Sequence, residues 1–279
     1  MKYKIEKNTV QETLIIPLYA GKVCTELYPN IYQDETAVRL INEIDYDFSE
    51  AEKNSRSLMQ RFGVLEVAMR QNDLAWEVRD YLKTHPKAAV VNLGCGLDST
   101  GRSCDNGSCK IYNLDFPDVI AVRNELLPAD EREKNIPCDL NDTEWLEKID
   151  ASGGAIFFAS GVFYYFLTKQ VKALVQAMAN AFPGGVLVFD AANRIAVKMI
   201  AKTWLKSAKI KDVGAYFAVS DAKDELSLWD SRLKVTSRGY MLGYNDLRDP
   251  SVGRFFRFLA KVGDKMMKMQ IVKIAFRNK

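Results

Sequence analysis

From residue 86 onward, short apolar runs alternate with stretches whose apolar residues recur at helical spacing. Each apolar run follows the previous one by about 20–30 residues, enough for a strand, a crossover helix and two loops. This alternation predicts βαβ units and therefore a parallel, doubly wound α/β sheet. The predicted strands are residues 88–93, 110–114, 134–138, 155–159 and 186–189. The predicted helices between them are residues 117–127, 143–149 and 168–182.

The last third of the chain has a different pattern. Helices are predicted at 194–207 and near 252–260, and strands at 233–237 and 268–276. In the final run apolar residues alternate with Lys and Gln, as expected for a half-exposed antiparallel strand. Together these elements predict a Rossmann-like, seven-stranded sheet whose last strand is antiparallel, which differs from a six-stranded dinucleotide fold.

The segment before residue 86 is predicted to be helical, because its apolar residues recur at mixed i+3 and i+4 spacing. No linker rich in Pro, Gly or Ser separates it from the rest of the chain. We therefore expect residues 1–85 to form a helical cap on the same domain as a core of residues 86–279.

Composition narrows the class of protein. The chain has 279 residues, 48% hydrophobic and 27% charged, with a net charge of +3, which are ordinary globular values without a concentrated basic face for nucleic acid. No apolar run reaches the roughly 20 residues of a membrane span. Five cysteines and no secretory signal predict reduced thiols in the cytoplasm. Cys104 and Cys109 lack a paired Cys-x-x-Cys, so no metal is expected.

The most informative motif is a glycine turn at the end of the first predicted strand. Gly94, Cys95 and Gly96 follow the apolar run, and Asp115, followed by Phe116, closes the next run 21 residues after Gly94. Glycines let bare backbone approach a ligand, and an acid at the tip of the second strand accepts both hydroxyls of a ribose. These residues predict binding of a nucleoside-containing cofactor.

The residues after the turn indicate which cofactor. The third glycine of a dinucleotide fingerprint is replaced by Ser99, and Asp98 lies inside the turn. A carboxylate there repels a pyrophosphate but tolerates an ammonium and a sulfonium. The pattern therefore favours S-adenosylmethionine over NAD.

Further polar residues fall at or just past the ends of predicted strands, the edge at which open α/β sheets bind ligands. They are Asp115, Asp139, Ser160 and Asp190. The Asp139 carboxylate is placed to accept a hydrogen bond from an adenine amino group. A turn or helix-capping role is the alternative for Asp139, and is favoured for Asp190.

In these and neighbouring motifs the chain resembles the leucine carboxyl methyltransferase family, and within it the bacterial branch similar to the tetracenomycin polyketide O-methyltransferase. The resemblance rests on residues 90–98 (VVNLGCGLD), 112–119 (YNLDFPDV) with Arg123, 160–166 (SGVFYYF) and 10–18 (VQETLIIPL). It extends from about residue 9 to residue 194.

The resemblance implies a class I O-methyltransferase that uses S-adenosylmethionine. In such an enzyme Gly94 and Gly96 line the methionine part, Asp115 the ribose, and Asp139 with Leu140 the adenine.

The family also places basic residues at two positions before the glycine turn. Lys22 and Arg70 match those positions, where they would neutralise carboxylates of cofactor or substrate. From the sequence alone, without the resemblance, solvated helix positions are favoured for both residues.

Two departures from the family pattern concern catalysis. Ser160 stands where the family usually has Glu, and residues 98–102 (DSTGR) stand where it has Asp-Thr-Arg. A protein that binds S-adenosylmethionine or S-adenosylhomocysteine without turnover is therefore the alternative function. A nicotinamide oxidoreductase is a third hypothesis, disfavoured by Asp98 and the missing glycine.

The only histidine, His85, precedes the first strand and is expected roughly 25–30 Å from the glycine turn. Without a histidine base, the acceptor is expected to be a carboxylate, or an oxygen deprotonated by Tyr, Asp or solvent. We hypothesise O-methylation of a small molecule, with Arg70 and Lys22 orienting the acceptor and Tyr165 shaping its pocket. The Met-rich segment 266–269 finishes the core or packs against a second copy, so a homodimer stays open.

Overall fold

The computed structural model describes residues 2–5, 10–49, 52, 57–200 and 216–278. A parallel pair joins β1 and β2, and the other described strands form one seven-stranded sheet. The strands are β1 (Tyr3–Lys4), β2 (Ile44–Asp45), β3 (Ala89–Leu93), β4 (Lys110–Asp115), β5 (Glu133–Pro137), β6 (Ala155–Ala159), β7 (Val186–Ala191), β8 (Leu233–Gly239) and β9 (Gln270–Phe276).

The described helices cover both faces of this sheet. They are α1 (Val10–Leu27), α2 (Glu35–Glu43), α3 (Leu58–Leu82), α4 (Thr100–Ser103), α5 (Pro117–Leu126), α6 (Thr168–Ala181), α7 (Arg194–Ile200), α8 (Ala222–Leu226) and α9 (Arg254–Val262). Short 3₁₀ segments cover Glu144–Lys148, Phe163–Tyr165 and Ser227–Trp229, and a π-helical turn covers Gly263–Met267.

The strand order confirms the predicted fold class. The order is β5-β4-β3-β6-β7-β9-β8, and β9 pairs antiparallel with both of its neighbours while the other pairings are parallel. From β3 the chain moves outward to β4 and β5, then returns to the opposite side of β3 at β6. This reversal is a topological switch point, and the crevice beyond the strand ends there is where open α/β sheets bind ligands.

Alternate residues of each central strand face two different layers, because side chains of a strand point alternately to its two faces. Val90 and Phe158 pack with the N-terminal helices, including Leu65 and Met69 of α3. Val91 and Phe157 pack on the opposite face with α6. Because both faces are covered, β3 and β6 are buried along their whole length, which explains their continuous apolar runs.

Two predicted helices differ in the structure. The predicted helix at 143–149 is a five-residue 3₁₀ segment, Glu144–Lys148, in the connection between β5 and β6. Its Trp145 side chain is fully buried, and short connections of this kind commonly use a 3₁₀ turn. The predicted helix at 194–207 is described only as far as Ile200, and residues 201–207 lie outside the described part. The C-terminal helix begins and ends two residues later than predicted.

Candidate functional site

The glycine turn after β3 has the backbone that its sequence predicts. Gly94 and Gly96 have φ angles of +65° and +47°, in the left-handed region that favours glycine. A Cβ on Gly94 would lie 2.7 Å from Cγ2 of Val162, so the segment after β6 packs directly on this glycine. The Cys95 N–H donates to the Leu114 carbonyl (2.9 Å), which holds the turn against the end of β4.

Asp115 ends β4 and holds the same turn from the other side. Its Oδ2 accepts the Gly96 N–H at 2.8 Å, and its Oδ1 accepts the Phe116 N–H at 2.8 Å. Burial raises the pKa of Asp115, although these two N–H groups counteract the effect. Each oxygen keeps a lone pair for a further donor, which is the acceptor pattern that two ribose hydroxyls require.

Asp139 lies beside Asp115 at the neighbouring strand end, because the Cys138 N–H donates to the Asp115 carbonyl at 2.8 Å. The Asp139 carboxylate is exposed and caps its own turn, where Oδ1 accepts the N–H and the Nδ2 of Asn141, both at 2.9 Å. One oxygen of Asp139, Oδ1, therefore has the turn-capping role that the sequence analysis gave as the alternative. Leu140, the next residue in the chain, is buried.

Asp98 is bound by donors of the protein itself. Its Oδ1 accepts the N–H and hydroxyl of Thr100 at 2.9 and 2.6 Å, and Gln71 Nε2 at 3.4 Å. Its Oδ2 accepts Asn92 Nδ2 at 3.0 Å. The carboxylate thus stabilises the start of α4, and its contact with a cofactor stays a prediction.

Arg123, on α5, has no assigned role in the sequence analysis, yet it organises the turn. Its side chain is fully buried, and Nη1 donates to the carbonyls of Gly96 (3.0 Å) and Asp98 (2.8 Å). Its Nη2 lies 3.4 Å from Oε1 of Glu133. The available sequence signal is an arginine on a helix face shared with apolar residues, where a charge is retained only if it is paired.

Arg70 lies at the opposite end of the crevice, next to the turn that follows β6. Its Nη1 is 3.3 Å from Oδ2 of the buried Asp190, whose Oδ1 accepts the Gly161 N–H at 2.6 Å. Gly161 has a φ of +71°, and a Cβ there would lie 2.9 Å from Arg70 Nη1. Burial lowers the pKa of Arg70, but the charge of Asp190 and the smaller contributions of the neighbouring tyrosines together outweigh this and raise the pKa overall. Asp190 is thus the counter-ion of Arg70 and not a capping residue.

Two buried polar atoms at this turn have no hydrogen-bond partner among the described residues, namely Ser160 Oγ and Arg70 Nε. Buried polar groups in folded proteins are normally paired, so unpaired atoms beside a ligand crevice point to a polar ligand. The orphaned atoms, the free lone pairs of Asp115 and the glycine turn together fit a polar nucleoside cofactor such as S-adenosylmethionine.

The remaining predicted residues are placed as follows. Tyr165 is about 40% exposed in the segment after Gly161. Its partial burial raises its pKa, and the nearby Arg70 charge offsets only part of this rise. Lys22 pairs with Glu26 on α1 at 3.2 Å, and no described contact joins it to the glycine turn. His85 stacks on Tyr81 beside Gly154, at the opposite end of the sheet, which confirms that it is remote from the crevice.

The sheet order and this crevice define a class I methyltransferase fold. Similar solved structures have the same architecture. A Thermobifida fusca protein described as a methyltransferase is 16% identical with a TM-score of 0.57, covering 93% of this chain and 94% of that one. An O-methyltransferase family protein from Burkholderia thailandensis is 13% identical with a TM-score of 0.50, covering 95% and 72%.

The chain belongs to the leucine carboxyl methyltransferase family, whose model matches residues 20–179. It is also 29% identical over 188 residues to the tetracenomycin polyketide synthesis O-methyltransferase of Streptomyces glaucescens, covering 67% of each chain. The family confirms the predicted class of enzyme, an S-adenosylmethionine-dependent methyltransferase. In the described part of the chain, no helix is both long and apolar enough to cross a membrane.

Proposed function

We propose that the chain methylates a carboxylate or phenolic oxygen of a small aromatic molecule. When bound, S-adenosylmethionine supplies an electrophilic methyl group, and the protein's task is to hold the acceptor in line with it. Such positioning supplies roughly 7–11 kcal/mol of a barrier. The similarity to the Streptomyces glaucescens polyketide-synthesis O-methyltransferase supports an aromatic acceptor.

The observation that carries this proposal is the Arg70–Asp190 pair at the Gly161 turn. It places a half-buried cation where the crevice meets two tyrosines, Tyr164 and Tyr165. In this proposal Arg70 holds a carboxylate of cofactor or substrate, with Lys22 as a second cation. Tyr165, as the exposed member of the pair, shapes the acceptor pocket.

For the cofactor, we propose that the residues at the ends of β4 and β5, next to the glycine turn, bind the nucleoside. Asp115 takes the ribose, with Phe116 beside it, and Asp139 with Leu140 frames the adenine. The methionine part lies against the remaining predicted residues, Gly94, Cys95, Gly96, Asp98 and Ser160.

The second candidate function is binding of S-adenosylmethionine or S-adenosylhomocysteine without turnover. Ser160 favours it, because the serine is shorter than the Glu usual in the family and its hydroxyl has no partner among the described residues. The two functions differ in whether any acceptor is methylated once cofactor binding has been shown.

We expect calorimetric titration to detect S-adenosylmethionine and S-adenosylhomocysteine but not NAD. Arg70→Ala should weaken S-adenosylmethionine binding by about tenfold or more, because hydrogen bonds to charged groups are worth about 1.5–3 kcal/mol. Arg79→Ala, on the exposed face of the same helix, is the matched control and should bind as the wild type does. Arg70→Lys retains the positive charge beside Asp190, so it serves as the control for a loss of binding that is caused by unfolding.

Unchanged cofactor affinity and unchanged turnover in Arg70→Ala would remove Arg70 from the site. Binding of NAD in place of the two sulfur nucleosides would revive the oxidoreductase hypothesis.

A further inference from the structure

One face of α3 carries a stripe of buried and half-buried polar residues beneath the C-terminal elements. Its members follow one another at spacings of four, three and four residues, so they lie on one side of the helix. They are Glu66, Arg70, Asp73 and Glu77.

Asp73 and Glu77 have structural partners. Asp73 accepts the Met241 N–H at 2.6 Å and Asn245 Nδ2 at 3.1 Å. Glu77 accepts the Tyr244 hydroxyl at 2.7 Å and Lys273 Nζ at 2.8 Å. These bonds anchor the loop after β8, and β9 itself, to α3.

Glu66 differs from the other acids of the stripe. Among the described residues it accepts no hydrogen bond and forms no ion pair within 4.0 Å, and its oxygens are not sealed from the surface. The accessible oxygens of Glu66 can therefore accept a hydrogen bond from a ligand.

The direction of α3 places Glu66 above the cofactor crevice. The helix ends at Leu82 near the beginning of β6, where His85 lies against Gly154, whereas Arg70 lies at the opposite end of β6 beside Gly161. One further turn toward the N-terminus advances about 6 Å along the axis. Glu66 therefore lies beyond the strand ends, on the side that remains for an acceptor.

We propose that Glu66 is the general base of the reaction and that the acceptor is a neutral hydroxyl, such as a phenol, rather than a carboxylate. This inference rests on the proposed function. The O–H proton passes to the Glu66 carboxylate, the acceptor oxygen bonds to the methyl carbon, and the electron pair of the broken C–S bond stays on sulfur.

The charges around Glu66 favour a neutral acceptor. Arg70 is the cation that faces it, and Asp190 already neutralises that cation. A carboxylate acceptor would add an anion beside these acids, which is unfavourable in a half-buried site. The titratable or charged groups around the site are Arg70 and Asp73 on α3, Asp190 on β7, Tyr164 and Tyr165 after β6, Tyr240 after β8, and Asp264 in the π-helical turn.

The acid–base properties of Glu66 match this role. Burial raises its pKa to about 8, with Arg70 lowering it and Asp264 raising it further. A base works best when its pKa lies near the operating pH. Because only the ionised form accepts a proton, turnover should rise with pH through about 8 and then level off.

The test compares Glu66→Gln with Asp80→Asn, a substitution of a partly exposed acid near the other end of α3. Acceptors are matched phenol and benzoate pairs with the same ring substituent, beginning with 4-methoxyphenol and 4-methoxybenzoate. We expect Glu66→Gln to lose about a hundredfold in phenol methylation and to lose the rise with pH, since general bases contribute 10²–10⁴-fold. Asp80→Asn should keep both the rate and the profile.

A binding readout without cofactor keeps the result independent of turnover. Above pH 8, where Glu66 is ionised, the wild type should bind 4-methoxyphenol more tightly than 4-methoxybenzoate, and Glu66→Gln should lose this preference. Asp264→Asn is a second variant that retains the base. It should shift the pH profile to lower pH, because it removes a charge that raises the pKa of Glu66.

Preferred methylation of benzoates, or an unchanged pH profile in Glu66→Gln, overturns the role of Glu66 while leaving methyl transfer intact. Turnover with neither class of acceptor, despite S-adenosylmethionine binding, overturns the proposed function itself and supports the non-catalytic alternative.

Discussion

Asp115→Asn is expected to raise the Kd for S-adenosylmethionine by about a thousandfold. Two hydrogen bonds to a carboxylate, each worth about 1.5–3 kcal/mol, account for a loss of this size. The amide also brings its NH₂ group toward a backbone N–H, because both oxygens of Asp115 accept from the turn, at Gly96 and Phe116. Donor would then face donor, and the glycine turn would lose one of its anchors.

Asp118→Asn is the matched control for this experiment. Asp118 lies three residues further on, in the first turn of α5, and is exposed, so the variant removes a nearby carboxylate charge but leaves both hydrogen bonds of Asp115 to the turn in place. Calorimetry with S-adenosylmethionine and S-adenosylhomocysteine gives the two affinities, and thermal unfolding checks that the fold survives. Equal affinities for the two variants would show that Asp115 does not hold the ribose.

The strands of the sheet were predictable because each depends on local information. A parallel strand covered on both faces needs a continuous apolar run, and β3, β6 and β7 each have one. The bounds of β6 are those predicted, whereas β3 begins one residue later and β7 ends two residues later than predicted, differences that are usual at strand ends. The glycine turn was predictable for the same reason, since a positive φ leaves a direct mark on the sequence.

The acids of the site were not predictable in this way, because their partners are distant in sequence. Asp190 has the local pattern of a turn acid, but its partner Arg70 lies 120 positions earlier. For Asp98 the difference between prediction and structure is the reverse. Its place in the turn indicated a contact with a cofactor cation, whereas Asn92 and Thr100 already supply donors to it. Side-chain partners of this kind follow from packing and not from spacing.

The role of Glu66 was likewise not predictable, because helical spacing does not show what a helix face packs against. The apolar residues of α3 predict a helix, but the acids of its polar stripe face elements more than 160 positions later, such as the loop at Tyr240 and the turn at Asp264. Only the folded chain distinguishes the acids that anchor those elements from the acid that has no partner among the described residues. The candidate base therefore emerges from the structure, although the cofactor was predictable from the sequence.

Arg123→Met is expected to lower the free energy of unfolding by about 3–5 kcal/mol, the usual cost of breaking a buried ion pair from one side. It leaves the carbonyls of Gly96 and Asp98 without their donor and Glu133 with Arg102 as its remaining cation. Urea unfolding measures the loss. Arg132→Met, which removes a surface arginine paired with Asp105, should cost no more than about 1 kcal/mol.

A double-mutant cycle with Glu133 separates charge pairing from the support of the turn. In a Glu133→Gln background, Arg123→Met should cost less, because no buried carboxylate is left without one of its cations. The loss of unfolding free energy that persists in the Glu133→Gln background is due to the carbonyls of Gly96 and Asp98, which have lost their donor. The same loss should weaken S-adenosylmethionine binding. If Arg123→Met matched Arg132→Met in both measurements, the turn would be held by Asp115 and the backbone alone, and Arg123 would have no role in shaping the crevice.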